Sequence, residues 1–109
     1  MDTQTKTATA AFCAKLLPLF DVQQAILFGS RARNAHHAES DADVAVILRG
    51  AKGHFMDTKF AMADLAYEVM LDTGIRIQPL PIWAYEWEHP EQYPNPSLLF
   101  NIKAEGLLL

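Results

Sequence analysis

Two short apolar runs, held apart by a polar loop of a particular composition, restrict the fold of this chain more than any other feature. Val22 to Phe28 is a run of Val, Ile, Leu and Phe bounded by Asp21 and Gly29, too short for a buried helix and suited to a buried strand. Asp43 to Leu48 reads as a second strand, with Val44, Val46 and Leu48 on one side and Asp43, Ala45 and Ile47 on the other. Between them lie Gly29-Ser30, ten further residues and then Asp41-Ala42-Asp43. A chain built this way places a glycine turn and a carboxylate pair at strand ends.

The remaining periodicities fill in a single αβ domain over residues 1–109 with no repeat and no linker. Ala8, Phe12, Leu16 and Leu19 recur at helical steps and predict a helix from Thr7 to Leu17, ended by Pro18. Arg49-Gly50 to Gly53 is the turn leaving the second strand. A long helix follows, for which Met56, Phe60, Ala63, Tyr67 and Met70 form the expected core stripe; Asp57, Asp64, Glu68 and Asp72 form a solvated acidic one. Gly74 caps it. Ile75 to Ile82 is a third strand, and Pro79 and Pro81 confine it to a sheet edge because proline donates no ladder hydrogen bond. Trp83 to Tyr93 lacks helical spacing and is expected to be an ordered loop. Asn95-Pro96 opens a last helix that ends near Glu105-Gly106.

Composition narrows the function classes. With 9 Lys+Arg against 13 Asp+Glu the chain carries a net charge of −4, which argues against binding duplex DNA. Phosphate must then be met locally, by a few placed cations, amides or metal ions. The one cysteine, Cys13, excludes an internal disulfide and a cysteine-based zinc site, and is read as a small core residue; a reducing cytoplasm suits such a chain. The polar start lacks the apolar core of a signal peptide, and no apolar run reaches the ~20 residues of a bilayer span, so no membrane is expected.

Asp41 and Asp43, two apart at a strand mouth, project to the same side and can grip a divalent cation. Mg²⁺ suits them, because it takes one or two carboxylates and completes its shell with water and phosphate oxygens. The pair therefore predicts a phosphate-bearing ligand. Gly29-Ser30, where a strand feeds a short helical turn, offers exposed amides and a positive helix end to triphosphate oxygens; Arg31 and Arg33 add guanidinium groups. Gly-Ser followed at a fixed distance by Asp-x-Asp should arise by chance in very roughly one chain in a thousand of this length. The plain alternative is a loop whose Ser and Asp side chains cap local turns. His36 and His37 are read chiefly as a solvated loop pair with phosphate contact as the alternative. Trp83, Tyr85 and Trp87 are read as packing residues, with an aromatic face for a base as theirs.

The run Leu27-Phe28-Gly29-Ser30-Arg31-Ala32-Arg33 together with Ser40-Asp41-Ala42-Asp43-Val44-Ala45-Val46 resembles the signature of the DNA polymerase β-like nucleotidyltransferases, most closely their minimal nucleotidyltransferase (MNT) branch. The likeness covers Leu16 to Leu48, with a weaker echo at Asn101 to Gly106. It implies a small mixed β-sheet flanked by helices, the polymerase β-like palm core. It also implies Mg²⁺ on Asp41 and Asp43, triphosphate at Gly29, Ser30, Arg31 and Arg33, and transfer of a nucleoside monophosphate from an NTP, ATP at the family level, to a hydroxyl. Many minimal members resemble antitoxins paired with a helical HEPN toxin, and some adenylylate a tyrosine of it.

Strongly catalytic members tend to carry a third carboxylate on the strand after the long helix. Here the nearest candidate is Gln78, whose amide has no charge. Either two carboxylates suffice, or Glu86 or Glu88 folds back, or catalysis is slow. If the third strand lies beside the Asp41-Asp43 strand, Gln78 faces the metal site. Two functions follow: an enzyme moving AMP to a hydroxyl on a partner protein that completes the acceptor site, or an antitoxin of the same fold that acts as a protein-binding module. The Leu107-Leu108-Leu109 end and the apolar surplus suggest a further interface, with a partner or with a second copy.

Overall fold

The computed structural model describes residues 1–109. Its elements run α1 (Thr3–Leu16), β1 (Val22–Phe28), β2 (Ala42–Leu48), α2 (Phe55–Thr73), β3 (Ile77–Trp83), α3 (Ala84–Glu88), a 3₁₀ turn (Pro90–Gln92), α4 (Pro96–Glu105) and β4 (Leu107–Leu108). The four strands form one mixed sheet in the order β3-β2-β1-β4. β1 and β2 pair antiparallel, with Phe28 opposite Asp43, and β2 and β3 pair parallel, with Asp43 opposite Gln78. The parallel pair needs a crossover, and α2 supplies it.

Alternation along β2 divides the core in two. Val44, Val46 and Leu48 pack with Ala8, Phe12 and Leu16 of α1 and Met62, Ala66 and Val69 of α2 on one face. Ala45 and Ile47 pack with Ile82, Trp87, Leu99 and Ile102 on the other, where α3 and α4 lie. A strand with apolar side chains on both faces is buried on both, which accounts for its near-continuous apolar sequence. β3 is an edge strand, as its prolines require: Pro79 and Pro81 sit in register with Val44 and Val46, and their nitrogens must face the open side.

Several expectations are corrected. α1 begins at Thr3, not Thr7, because Asp2 caps it by accepting the Thr5 amide at 2.7 Å. It ends at Leu16, so Leu19 falls in the following turn and is exposed. The core stripe of α2 is expected on Met56, Phe60, Ala63, Tyr67 and Met70; the first four point outward, Met70 is half-buried, and Met62, Ala66 and Val69 are the buried residues. Both sets have helical spacing. Phe55 and Leu65 pack beside the buried set, so spacing alone does not choose between the two faces. Trp83 to Tyr93 is no loop: its first part is α3, nucleated by the buried Glu86 carboxylate, which accepts the Trp83 amide at 3.2 Å. Trp83 and Trp87 are buried in the two cores, while Tyr85 is exposed and stacks on His89. Asn95 caps α4 and Gly74 ends α2 at φ 78°, both as the sequence predicts. Leu107 and Leu108 pair with Leu27 and Ile26 of β1, so the C-terminal leucines extend the sheet, with Leu108 exposed. No helix is long and apolar enough to cross a membrane.

Candidate nucleotide and metal site

The site forms where β1 ends and β2 begins. Gly29 takes a left-handed conformation at φ 76°, open to glycine and costly for other residues, and reverses the chain out of β1. Its carbonyl then accepts the amides of Ala32 and Arg33 at 3.1 and 3.2 Å, and that of Ser30 accepts Ala35 at 2.9 Å. Asn34, at φ 57°, closes the winding. The expected helix start is therefore a set of turns with no helix behind it, and any anion cradle comes from turn amides. The amides of Ser30 and Arg31 donate to no group of the chain.

Asp43 lies directly over Gly29. A Cβ at residue 29 would come within 2.4 Å of Asp43 Oδ2, so glycine is required twice, by conformation and by space. Gly29→Ala is expected to lower stability by about 1–2 kcal/mol through the left-handed backbone alone, and to displace the Asp43 carboxylate as well. Thermal unfolding combined with an Mg²⁺-nucleotide titration checks this; unchanged nucleotide binding in the alanine variant would contradict the placement.

The two carboxylates are brought together as the spacing predicts. Burial pushes the Asp43 carboxyl above its usual range, the Asp41 charge pushes it further, and Arg33 partly opposes both. Gln78 reaches the same place: its Nε2 donates to Asp41 Oδ2 at 3.3 Å. Two carboxylates repelling each other at a half-buried strand end, with a neutral amide alongside, make a hard oxygen donor set that suits Mg²⁺ and offers no thiolate or imidazole for zinc. No third His, Cys, Asp or Glu joins them. Glu86 and Glu88 are excluded from that role, because Trp83, just before them, pairs with Leu48, five residues and about 16 Å along β2 from Asp43. Glu86 is held there by the Trp83 amide and by Lys52, 3.4 Å away.

The arginines divide. Arg33 is half exposed and lies 3.4 Å from Glu105 at the end of α4, free to turn toward an anion. Arg31, expected on phosphate, is only 2% exposed. Its Nε donates to the Ser40 carbonyl at 2.9 Å, Nη1 to the Thr5 hydroxyl at 2.8 Å and Nη2 to the Ala38 carbonyl at 3.2 Å. The guanidinium therefore ties the loop to α1 and faces the protein interior. Asp2, 3.9 Å away, completes this cluster; its carboxyl is lowered to about 2 by hydrogen bonds from Thr5 and then by His36. His36 packs on Asp2 and is not a solvated loop residue, whereas His37 is exposed.

One basic residue escaped the sequence reading. Arg76 is exposed, its carbonyl accepts the Ala42 amide at 2.9 Å, and it lines both a cavity of about 350 Å³ containing Asp41 and a neighbouring one containing Gln78. Its place two residues before Gln78 is the signal that strand pairing makes meaningful.

Comparison with known proteins agrees with this geometry. No curated protein matches the chain in sequence. Among solved structures, a candidate nucleotidyltransferase from Sulfolobus solfataricus superposes with a TM-score of 0.53 at 16% identity, over 96% of this chain and 75% of that one. A chain from a toxin–antitoxin crystal structure with AMP-PNP superposes with a TM-score of 0.63 at 16% identity, over 94% of this chain and 70% of that one. The family described as polymerase beta, nucleotidyltransferase matches residues 13–80, which carry Gly29, Ser30, Asp41, Asp43 and Gln78 and form most of the sheet that positions them. The chain belongs to the polymerase beta nucleotidyltransferase family.

Proposed function

We propose that this chain, as a minimal nucleotidyltransferase, moves AMP from ATP to a hydroxyl of a partner protein with Mg²⁺, as the antitoxin of a pair whose other member is a helical HEPN-type toxin. The observation that carries this is the convergence of Asp41 and Asp43 on the Gly29-Ser30 turn, with unpaired amides on one side and a repelling carboxylate pair on the other. Family membership supports the reaction class, and the toxin–antitoxin chain of similar fold supports the partner. Asp41 and Asp43 would hold the cation, which supplies charge neutralisation on the triphosphate and polarises the phosphorus under attack. The Ser30 and Arg31 amides and the Arg33 guanidinium bind and orient triphosphate oxygens. In the transfer the acceptor oxygen forms a bond to the α-phosphorus, the α–β anhydride breaks, pyrophosphate leaves and the hydroxyl proton is released. Positioning and charge neutralisation supply most of the acceleration in such reactions, so a strong base is not essential. With ATP labelled at the α or the γ phosphorus, label is expected on the partner from the α position only; γ label on the partner would make the chain a kinase.

A second reading is favoured by Gln78, which occupies the place opposite Asp43 with a neutral amide. On that reading the chain silences its partner by contact and the nucleotide site is weak. Gln78→Asp separates the two. A unit charge about 4 Å from the cation is worth ~4 kcal/mol at an effective dielectric near 20, before desolvation and repulsion from Asp41 and Asp43. Retaining ~1.4 kcal/mol of this in the transition state raises transfer about tenfold. Parent and variant both inert, yet both silencing the partner, would establish the binding module.

A further inference from the structure

The end of α4, within the run Asn101 to Gly106 that carries the weaker family likeness, is tied to the nucleotide site by one pair of side chains. Antiparallel pairing sets Leu107 opposite Leu27, so Glu105-Gly106 come to the end of β1, where the Gly29 turn begins. The approach is close: a side chain at residue 106 would run into Ile26 and the Ile102 carbonyl. The Glu105 backbone is thereby held in place while its side chain stays half exposed. That carboxylate lies 3.4 Å from Arg33 Nη1 and has no other hydrogen-bond or ion-pair partner. Helix stability does not explain its presence. Glu105 is the last residue of α4, and a negative charge there faces the negative end of the helix dipole. Arg33 is in turn close enough to Asp43 for its charge to oppose the upward push that burial and Asp41 give that carboxyl. One exposed cation is thus shared by a metal-site carboxylate and a carboxylate of α4.

We propose that Glu105 competes with the nucleotide for Arg33, holding the guanidinium while the site is empty and giving it up only to a ligand whose phosphate oxygens attract it more strongly than a carboxylate does. This role rests on the reading of the Gly29-Ser30 turn as a triphosphate site and adds a residue that sets its affinity. The pair is built to be broken: one oxygen meets one nitrogen at 3.4 Å, with both side chains half in solvent. A polyphosphate brings more charge and can take the planar guanidinium through two parallel hydrogen bonds. While Glu105 holds Arg33, the apparent affinity falls by the fraction of time that Arg33 is free. For an exposed pair of ordinary strength that fraction makes a difference of about two- to sixfold. A ligand without phosphate never calls on Arg33 and escapes the competition.

Calorimetric titration with Mg²⁺-ATP and with adenosine, on the parent, Glu105→Gln, Arg33→Ala and the double variant, tests this. Glu105→Gln is expected to bind Mg²⁺-ATP about two- to sixfold more tightly, with adenosine unaffected and a thermal midpoint no lower than the parent's. Arg33→Ala should bind Mg²⁺-ATP more weakly. Adding Glu105→Gln to it should then change the affinity by less than about 1.5-fold, because no guanidinium remains to compete for and repulsion from Glu105 itself is screened at physiological salt. Weaker binding in Glu105→Gln would make Glu105 a ligand of the metal or the nucleotide. A gain shared by adenosine would place its action on the base or ribose, and an equal gain in the Arg33→Ala background would reduce it to repulsion. Any of these, or no gain at all, would overturn the proposal while leaving the nucleotide site in place. If neither the parent nor Glu105→Gln binds Mg²⁺-ATP, the nucleotide reading falls and the competition falls with it.

Discussion

Asp43→Asn is expected to lower Mg²⁺-dependent transfer by about a thousandfold or more, ~4 kcal/mol in the barrier, while the folded chain in metal-free buffer stays as stable as the parent or becomes more so. The two effects have one cause. The carboxyl of Asp43 is pushed upward by burial and by Asp41, so its ionised form is disfavoured in the folded state and costs stability at neutral pH. Asparagine removes that cost together with the metal ligand. Stability gained where activity is lost is the mark of a group kept for chemistry. Asp41→Asn should lose transfer similarly. Label transfer and thermal unfolding without metal, run on the same preparations, check this; transfer at the parental rate in either variant would remove the residue from the metal site.

Arg31→Ala is expected to act in the opposite manner, through the fold. Its guanidinium is buried and bonded to Ser40, Ala38 and Thr5, and Thr5 is itself fully buried in α1. Removal leaves those acceptors unpaired and a cavity between the loop and α1, at a cost of about 3 kcal/mol or more. In a domain of this size that lowers the unfolding midpoint by more than about 10 °C. Arg31→Lys should recover little, because an ammonium group cannot reproduce the planar fork that spans three acceptors. Arg33→Ala, by contrast, removes a half-exposed pair to Glu105 and should leave stability within about 0.5 kcal/mol while weakening nucleotide binding. Full stability in Arg31→Ala, with nucleotide affinity lost, would return Arg31 to the phosphate site.

The contrast between the two arginines shows how far the sequence was legible. A short apolar run placed β1, alternation placed β2, and the stretch after the Gly74 cap placed β3, its prolines assigning it to an edge, each within two residues of its position. The Gly29 turn and the carboxylate pair were equally plain, because a glycine and two aspartates at strand ends have few other uses. Gln78 was singled out by the family resemblance and expected to face the pair if β3 lay beside β2; β3 does, and the Gln78 amide reaches Asp41. What could not be read was rotation about an axis. Arg31 and Arg33 are separated by one residue of a winding loop, and only the fold decides that one points to Thr5 and the other to Glu105. α2 likewise carries two apolar stripes at helical spacing, and most of the one expected inside lies outside, a choice of rotation that the spacing does not make. α3 was missed for a different reason, as its five residues are held by a single buried carboxylate and leave no periodic trace.

The central claim is that Asp41, Asp43 and the Gly29-Ser30 turn form a site for a metal-bound nucleoside triphosphate. Isothermal titration of the chain with ATP, in the presence and absence of Mg²⁺, tests it most directly. The predicted result is saturable binding near one nucleotide per chain that requires Mg²⁺ and disappears in both Asp41→Asn and Asp43→Asn. Binding of equal strength without Mg²⁺, binding that both asparagine variants retain, or no binding to the parent chain would contradict it.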